Sequence, residues 1–531
     1  MKEKKIDIYD TTLRDGSQGE GISFSVQDKL LIMKKLDEMG FDLIEGGWPG
    51  ANPKDSDFFE QAKKVRLKHA KLAAFGSTRK AGTKASEDAN LRGLLEAETP
   101  VITIFGKSWD LHVTEVFRTQ LEENLRMIED SVKYLKSKGR KVIYDAEHFF
   151  DGFAANPRYA LKTAETAYSA GASVLVLCDT NGGTLPSRIF EAVSQMRSKI
   201  GAPVGIHTHN DSGLAVANAI AALEAGAVQV QGTVNGIGER CGNCDLIAVI
   251  ANAQLKMGRH CLTEDKMKEL SELSRYVNEI CNIVPAKNQP YVGQSAFAHK
   301  GGVHIDAVKK NPITYEHIDP AIVGNHRRHL ISEVGGSANI VLKAESGVFD
   351  VTGSSAKLTK GSPETRRVLE AVKKLESEGY QFESAEASFE LLVHRIASKY
   401  KPFFVFENAM LSHEMIGDKT PDVSATVSLR VDDKKISKKS KGDGPVDALG
   451  KAFSHALAEF YPQVKEVTLD DYKVRIVNSK AGTAARVRVI IEFRDKDRVW
   501  TTIGVSTNII EASWKALVDA YEYKLLKDSA K

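Results

Sequence analysis

The strongest constraint on the fold is an eightfold alternation in the first half of the chain. Between residue 6 and about residue 258, short apolar runs alternate with longer stretches of helical periodicity. The apolar runs are residues 6–9, 41–45, 71–75, 101–105, 141–144, 173–177, 203–206 and 227–231. Eight strand–helix units over about 250 residues are typical of a TIM (β/α)8 barrel, which we predict for residues 1–280. A doubly wound open sheet is the alternative, but no G-x-G-x-x-G motif follows the first run.

The segments between the runs have the spacing of amphipathic helices. Apolar residues at Val26, Leu30, Met33 and Leu36 predict a helix over residues 25–40 that ends at Gly40. The same spacing predicts a longer helix over residues 114–138. These helices would cover the outside of the barrel, because each apolar stripe needs a partner surface.

Polar residues gather where the predicted strands end and the next loops begin. The opposite strand ends are instead preceded by turns containing Lys, Gly or Pro. Because active sites of TIM barrels lie at the carboxyl ends of the strands, this asymmetry predicts a site at one end of the barrel. The polar strand ends are Arg14 and Asp15, Glu45, residues 76–79, 106–107, 145–148, 179–181, 207–211 and 235–243.

Two histidines after the seventh run predict a metal site. His207 and His209 are two residues apart, and the period of a strand places both rings on one face. With Asp15 from the first strand end they would hold a divalent ion such as Mg²⁺, Mn²⁺ or Zn²⁺ as a Lewis acid. We expect the fourth ligand to be an oxygen donor from the eighth strand end, Asn243. Alternatively, the histidines pack in the core and Arg14 simply pairs with Asp15.

Composition excludes several other classes of function. The chain carries 73 basic and 70 acidic residues, and this balance argues against nucleic acid or a membrane surface as the main partner. No apolar stretch reaches transmembrane length, and none of signal-peptide length follows the basic start. Five cysteines, odd in number and clustered, predict a reducing cytoplasm. Cys241 and Cys244 lack a second ligand pair, so we interpret both as small buried residues.

Three motifs together resemble the family of 2-isopropylmalate, homocitrate and citramalate synthases. They are D-T-T-L-R-D-G-S-Q at residues 10–18, H-T-H-N-D at 207–211 and G-x-G-E-R-x-G-N at 236–243. The resemblance implies a metal-dependent barrel that condenses acetyl-CoA with a 2-oxo acid. Stretches similar to the citramalate branch stand at residues 45–55, 75–79 and 296–304.

The citramalate branch would use pyruvate as the acceptor, in the biosynthesis of isoleucine. The alternative within the family is 2-isopropylmalate synthase, which uses 2-oxoisovalerate in leucine biosynthesis. A less favoured alternative is a metal-dependent lyase on the same barrel.

The resemblance also assigns catalytic roles. Arg14 would face the alkoxide that develops on the acceptor, as a fixed cation beside the metal. Glu147 would remove a methyl proton from acetyl-CoA, alone or together with His304. Tyr315 matches a catalytic tyrosine position, although the preceding residues differ between branches.

Four further residues are expected at the substrate. Thr180 would hydrogen-bond the substrate carboxylate, and its alternative role is to cap the next helix. Gln18 is a weaker candidate for substrate binding. Phe75 and Phe105 would narrow the acceptor pocket to a methyl group, or they are ordinary barrel core.

The rest of the chain is predicted to form two regions. Residues 281–402 would be a mostly helical linker that completes the active site, with a helix over residues 363–379. Residues 403–531 show an internal β-β-β-α repeat, which predicts an α+β domain. This region resembles the family's regulatory domain, which implies a homodimer and an amino-acid effector, isoleucine in the citramalate branch.

Overall fold

Eight parallel strands close into a barrel in a computed structural model of the protein. The first and eighth strands pair to close it, with Asp7 opposite Gln229. The predicted TIM barrel is confirmed. The strands are Asp7–Asp10, Leu43–Gly47, Lys71–Ser77, Val101–Lys107, Lys141–Glu147, Val174–Asp179, Val204–Thr208 and Gln229–Gly232. The structure describes residues 4–51, 53–299, 302–329, 362–397, 400–414, 422–477, 485–496 and 498–529.

Helices cover the outside of the barrel and bury one apolar stripe each. The first is Val26–Met39, as predicted, with a capping box at Ser25 and a left-handed Gly40 at φ 89°. The others are Pro53–Ala62, Ala89–Glu96, Leu121–Ser137, Phe149–Ala155, Pro157–Ala170, Pro186–Ile200, Ala215–Glu224, Leu246–Met257, Glu264–Met267 and Leu270–Ile280.

The predicted helix over residues 114–138 is interrupted in the structure. A π-helical turn, His112–Val116, comes first, and the helix itself begins at Leu121. Between them Arg118 has φ 52°, which no continuous right-handed helix allows. The prediction therefore placed the start of this helix about seven residues too early.

Residues Ala298–His317 and Arg327–Lys531 belong to a second compact unit. The short strands Ala298–His299 and Arg328–His329 pair with each other. The helices of this unit before its sheets are Gly302–Lys310, Pro363–Ser377 and Glu386–Ala397. The predicted repeat is confirmed as two antiparallel three-stranded sheets, each followed by a helix. The first consists of Val405–Glu414, Asp422–Val431, Lys434–Lys441 and Pro445–Leu457, the second of Thr468–Ile476, Val487–Arg494, Val499–Ser506 and Ile509–Ser529.

Helices before residue 402 share a core with the second repeat. Val368, Phe389 and Ile503 are buried in one apolar cluster. The division at residues 280 and 402 stays a prediction. Within the described part of the chain, no helix combines the length and apolarity needed to cross a membrane.

A buried ion pair stabilises the loop after the second barrel strand. Lys29 and Asp55 are 3% and 8% exposed, and the lysine also donates to the carbonyl of Gly46 at 3.1 Å. Asp55 accepts the backbone N–H of Trp48 at 2.9 Å. The pair therefore holds Gly46–Trp48, which lead into the barrel mouth.

We expect Lys29→Met to lower the free energy of unfolding by about 3–5 kcal/mol, because it leaves the buried Asp55 without its cation. Urea denaturation measures this. Lys34→Met, an exposed position on the same helix, is the control and should change stability by less than about 0.5 kcal/mol. Equal effects of the two variants would contradict a structural role for the pair.

Candidate active site

Asp15, His207 and His209 come together at the carboxyl ends of the first and seventh barrel strands. Their ligand atoms lie within 4.8 Å of one another, and all three residues are buried. A tight turn positions Asp15, because its backbone N–H donates to the carbonyl of Thr11 at 2.8 Å. The strand period places the two histidine rings side by side, with centroids 5.1 Å apart.

The three side chains fit a divalent metal ion. Nε2 of His207 lies 3.2 Å from Oδ2 of Asp15, close to the separation of about 3 Å for adjacent ligands about 2.1 Å from one ion. Although burial opposes it, Arg14 and His207 hold the pKa of Asp15 well below its usual range. Burial and the neighbouring His207 lower the pKa of His209 to about 3, so its imidazole is neutral. Ionised carboxylate and neutral imidazole are the forms that bind metal.

Asn243 is close to these three residues because its backbone pairs with that of His209 in an isolated antiparallel bridge. Its Nδ2 donates to the carbonyl of Ile237 at 3.2 Å, whereas its buried Oδ1 has no hydrogen-bond partner among the described residues. Gly238 permits this packing, because a Cβ there would lie 2.1 Å from Nδ2. A buried, unpaired amide oxygen is what a fourth ligand would supply.

Arg14 is held between two carboxylates. Its Nε donates to Oε1 of Glu45 at 2.6 Å, and its Nη1 lies 3.3 Å from Oδ1 of Asp15. Glu45 is fully buried and also accepts the Tyr9 hydroxyl at 2.7 Å. The sequence predicted no role for Glu45, and its place at the polar end of the second strand was the available signal.

A cavity of about 250 Å³ opens at this end of the barrel. Of the eight predicted site residues in the first compact unit, seven line it and Asn243 does not. The structure therefore brings together most of the predicted site from four strand ends, those of the first, fifth, sixth and seventh strands. The seven are Arg14, Asp15, Gln18, Glu147, Thr180, His207 and His209.

Three aromatic rings form one wall of the cavity. Trp48 contacts Phe75 and Phe105 edge-on, with centroid distances of 5.9 and 5.6 Å, and the two phenylalanines stack at 5.5 Å. Trp48 Nε1 donates to Oδ1 of Asn90 at 2.8 Å, which fixes the indole. The Arg14 guanidinium lies 3.8 Å above the Phe75 ring. The wall limits the space beside the candidate metal ligands, and the sequence prediction had missed Trp48.

Glu147 pairs with a lysine that the sequence prediction did not assign to the site. Lys107 and Glu147 end neighbouring strands, stand opposite each other in register, and form an ion pair. The glutamate side chain is 24% exposed and faces the cavity.

Thr180 does not cap the next helix. Its Oγ1 accepts the backbone N–H of His148 at 2.9 Å, and the next helix begins at Pro186 after an uncapped Leu185. Because its oxygen is used as an acceptor, the Thr180 hydroxyl proton is available to a substrate oxygen.

An arginine joins the loops after the sixth, seventh and eighth strands. Arg240 donates to both carboxylate oxygens of Asp211, at 2.7 and 2.9 Å, and to the carbonyl of Thr180 at 2.8 Å. The adjacent Cys241 is exposed, whereas Cys244 is buried, so the interpretation of both thiols as buried was wrong for Cys241. A left-handed Gly242, at φ 88°, turns the chain between them.

Comparisons with known proteins match nearly the whole chain. The family model described as HMGL-like matches residues 5–277, that of a homocitrate synthase post-HMGL domain matches 291–377, and that of the LeuA allosteric (dimerisation) domain matches 383–525. An (R)-citramalate synthase of Aquifex aeolicus is 53% identical over 99% of this chain and 98% of its own. Another, of Geobacter sulfurreducens, is 51% identical over 98% of each chain. The chain belongs to the citramalate synthase family.

This membership confirms the branch expected from the motifs. A 2-isopropylmalate synthase of Methanocaldococcus jannaschii is 29% identical over 98% of this chain and 95% of its own, and is thus a more distant relative.

Two residues with expected catalytic roles lie outside the barrel. His304 is exposed on the helix Gly302–Lys310, and its ring stacks on Tyr315 with centroids 4.3 Å apart. Both belong to the second compact unit, in the segment matched by the post-HMGL domain model. Their part in the barrel site of this citramalate synthase family member stays a prediction.

Substitutions can distinguish the roles of Arg14 and Asp15, which are adjacent at the end of the first strand. Asp15→Asn should weaken Mn²⁺ binding about tenfold or more, because a neutral amide replaces an ionised ligand. Arg14→Gln should bind Mn²⁺ within a few-fold of wild type but lower kcat by about 10²–10³. Calorimetric titration with Mn²⁺ and steady-state kinetics measure both. If both variants lose Mn²⁺ binding equally, Arg14 and Asp15 have no separate roles and form only a structural ion pair.

Proposed function

We propose that this protein condenses acetyl-CoA with pyruvate and water to give citramalate and CoA. The observation that carries the proposal is the buried group Asp15, His207 and His209 beside Arg14, in a cavity of about 250 Å³ with an aromatic wall. Family membership over nearly the full chain supports the same reaction, and the relatives' name implies the (R) product.

The acceptor would bind at the metal ligands. A divalent ion (Mg²⁺, Mn²⁺ or Zn²⁺) held by Asp15, His207, His209 and Asn243 would supply Lewis-acid polarisation of the 2-oxo acid. Arg14, aligned by Glu45, places donors where the keto oxygen becomes an alkoxide. The Thr180 hydroxyl would donate to the carboxylate of the acid, and Gln18 lies at the rim of the same cavity.

Glu147 is the proposed base. It would take a proton from the acetyl methyl group, and the carbanion would form a C–C bond with the keto carbon of pyruvate while the keto oxygen gains a proton. Lys107 forms an ion pair with this carboxylate in the structure, so the pair would open as the thioester enters. Water then cleaves the thioester and releases CoA. His304 and Tyr315 are proposed to assist from the second unit.

The aromatic wall favours a small acceptor. Trp48, Phe75 and Phe105 leave room for a methyl group more readily than for the isopropyl group of 2-oxoisovalerate, since each extra methylene in a fixed pocket costs about 1–3 kcal/mol. This observation supports pyruvate over the isopropylmalate alternative.

Assembly and control belong to the second unit. We propose a homodimer with isoleucine as effector, in the cytoplasm, where unpaired cysteines persist. The allosteric (dimerisation) model covers residues 383–525. The first strand of each repeat exposes apolar side chains, Met410 at 67% and Ile476 at 63%, which a partner subunit would cover.

The acceptor is tested by release of free thiol from acetyl-CoA with a panel of 2-oxo acids. Pyruvate should give the highest kcat/KM, 2-oxoisovalerate should be lower by about tenfold or more, and removal of divalent ions by chelation should stop turnover until Mn²⁺ or Mg²⁺ is restored. Preference for 2-oxoisovalerate would reassign the protein to the isopropylmalate branch. No thiol release with any acid would reject the synthase proposal.

The base is tested by Glu147→Gln. We expect kcat to fall by about 10²–10⁴ while pyruvate and Mn²⁺ still bind, because only proton transfer is lost. Glu165→Gln is the control: it also removes a glutamate paired with a lysine, Lys162 at 2.9 Å, but on the outer surface of the barrel. An unchanged kcat in Glu147→Gln would assign the base elsewhere.

A further inference from the structure

A buried glutamine contacts one of the metal-site histidines. Oε1 of Gln231 lies 2.9 Å from Nδ1 of His207, and its Nε2 donates to Oδ1 of Asp145 at 3.0 Å. Gln231 is 0% exposed, and the other two residues are also buried. The three side chains therefore form a hydrogen-bonded row beneath the cavity.

The arrangement determines which ring nitrogen carries the proton. The Asp145 oxygen accepts, so the amide nitrogen of Gln231 must face it, and the amide oxygen is left facing His207. An oxygen that only accepts requires a proton on Nδ1 of the imidazole. Nε2 is then the ring atom that faces Oδ2 of Asp15, at 3.2 Å, and it is the nitrogen placed to bind an ion. Without an ion, a proton on Nε2 makes this contact an imidazolium–carboxylate pair, and a bound metal ion would replace that proton.

We propose that Gln231 is a positioning residue for the metal centre: oriented by Asp145, it fixes His207 in the tautomer whose Nε2 binds the ion. The inference rests on the metal site of the proposed function. Partners of this kind, on the far nitrogen of a ligand histidine, orient the ring and raise its basicity. The barrel register supplies the contact, because His207 and Gln231 are opposite each other on the seventh and eighth strands.

The same strand offers a matched control. Gln229 is two residues earlier, on the same face, and 0% exposed. Neither atom of its side-chain amide has a hydrogen-bond partner among the described residues. Replacing Gln229 or Gln231 by Met removes the same groups from the same inward face of one strand, and Gln231 is the one that contacts a metal-site residue.

The test is Mn²⁺ binding to the metal-free full-length protein, by calorimetry or electron paramagnetic resonance. Gln231→Met should weaken Mn²⁺ binding by about 10–100-fold, whereas Gln229→Met should leave it within about twofold. Gln231→Glu keeps an acceptor for Nδ1–H, so it should bind Mn²⁺ more tightly than Gln231→Met. The unfolding temperatures should have the opposite order, with Gln231→Glu below Gln231→Met, because the glutamate places a second buried carboxyl beside Asp145.

The opposite orders of Mn²⁺ affinity and thermal stability in the two Gln231 variants distinguish a positioning role from a packing role. If Mn²⁺ affinity follows stability, with Gln231→Met better than Gln231→Glu, or if the Met variants of Gln229 and Gln231 bind equally, the inference is overturned. Wild-type protein that does not bind Mn²⁺, or binds it as well after Asp15→Asn, would reject the metal centre itself and the inference with it.

A second measurement does not depend on the folding of a Gln231 variant. In ¹⁵N-histidine-labelled wild-type protein with Mg²⁺ bound, the signals lost in His207→Gln should be those of a neutral ring protonated on Nδ1. Protonation on Nε2 instead would overturn the proposed role of Gln231.

Discussion

Burial of charge at the carboxyl end of the barrel is the constraint on which the site depends. Arg14 lies between the carboxylates of Glu45 and Asp15 and contacts both, and all three side chains are largely shielded from water. Two carboxylates around one guanidinium leave a net negative charge, which a low-dielectric site tolerates only when a cation is near. Unpaired burial of either carboxylate would cost several kcal/mol. The arrangement that is costly in the free protein is thus the one suited to a divalent ion.

The architecture could be predicted because periodicity reports burial directly. Strand runs and the capped helix from Val26 to Gly40 carry their signals within a few residues. The helix break near Arg118 could not be predicted, since a left-handed arginine has no signature in a single sequence. The repeat after residue 403 was recognisable for the same local reason, as two sets of three strands and a helix.

The site was predictable where a role depends on residue type and strand period, and less so where it depends on register. His207 and His209 needed only the period of two. Lys107 pairs with Glu147, and His207 with Gln231, because of the register between neighbouring strands. That register cannot be read from the sequence of either strand alone. Thr180 had two chemically reasonable roles, and the capping role fails because the following loop delays the helix to Pro186.

In the proposed reaction, acceptor selectivity and oxyanion stabilisation would be physically linked through Phe75. Its ring lies under the Arg14 guanidinium at 3.8 Å and also stacks on Phe105 in the wall of the cavity. A smaller residue at 75 would enlarge the pocket but also remove a surface that holds Arg14 in place. Phe105 lies under Lys107 at 5.6 Å and makes no such contact with Arg14 among the described interactions. The pocket can therefore be enlarged at Phe105 with less effect on Arg14, the cation proposed to face the developing alkoxide.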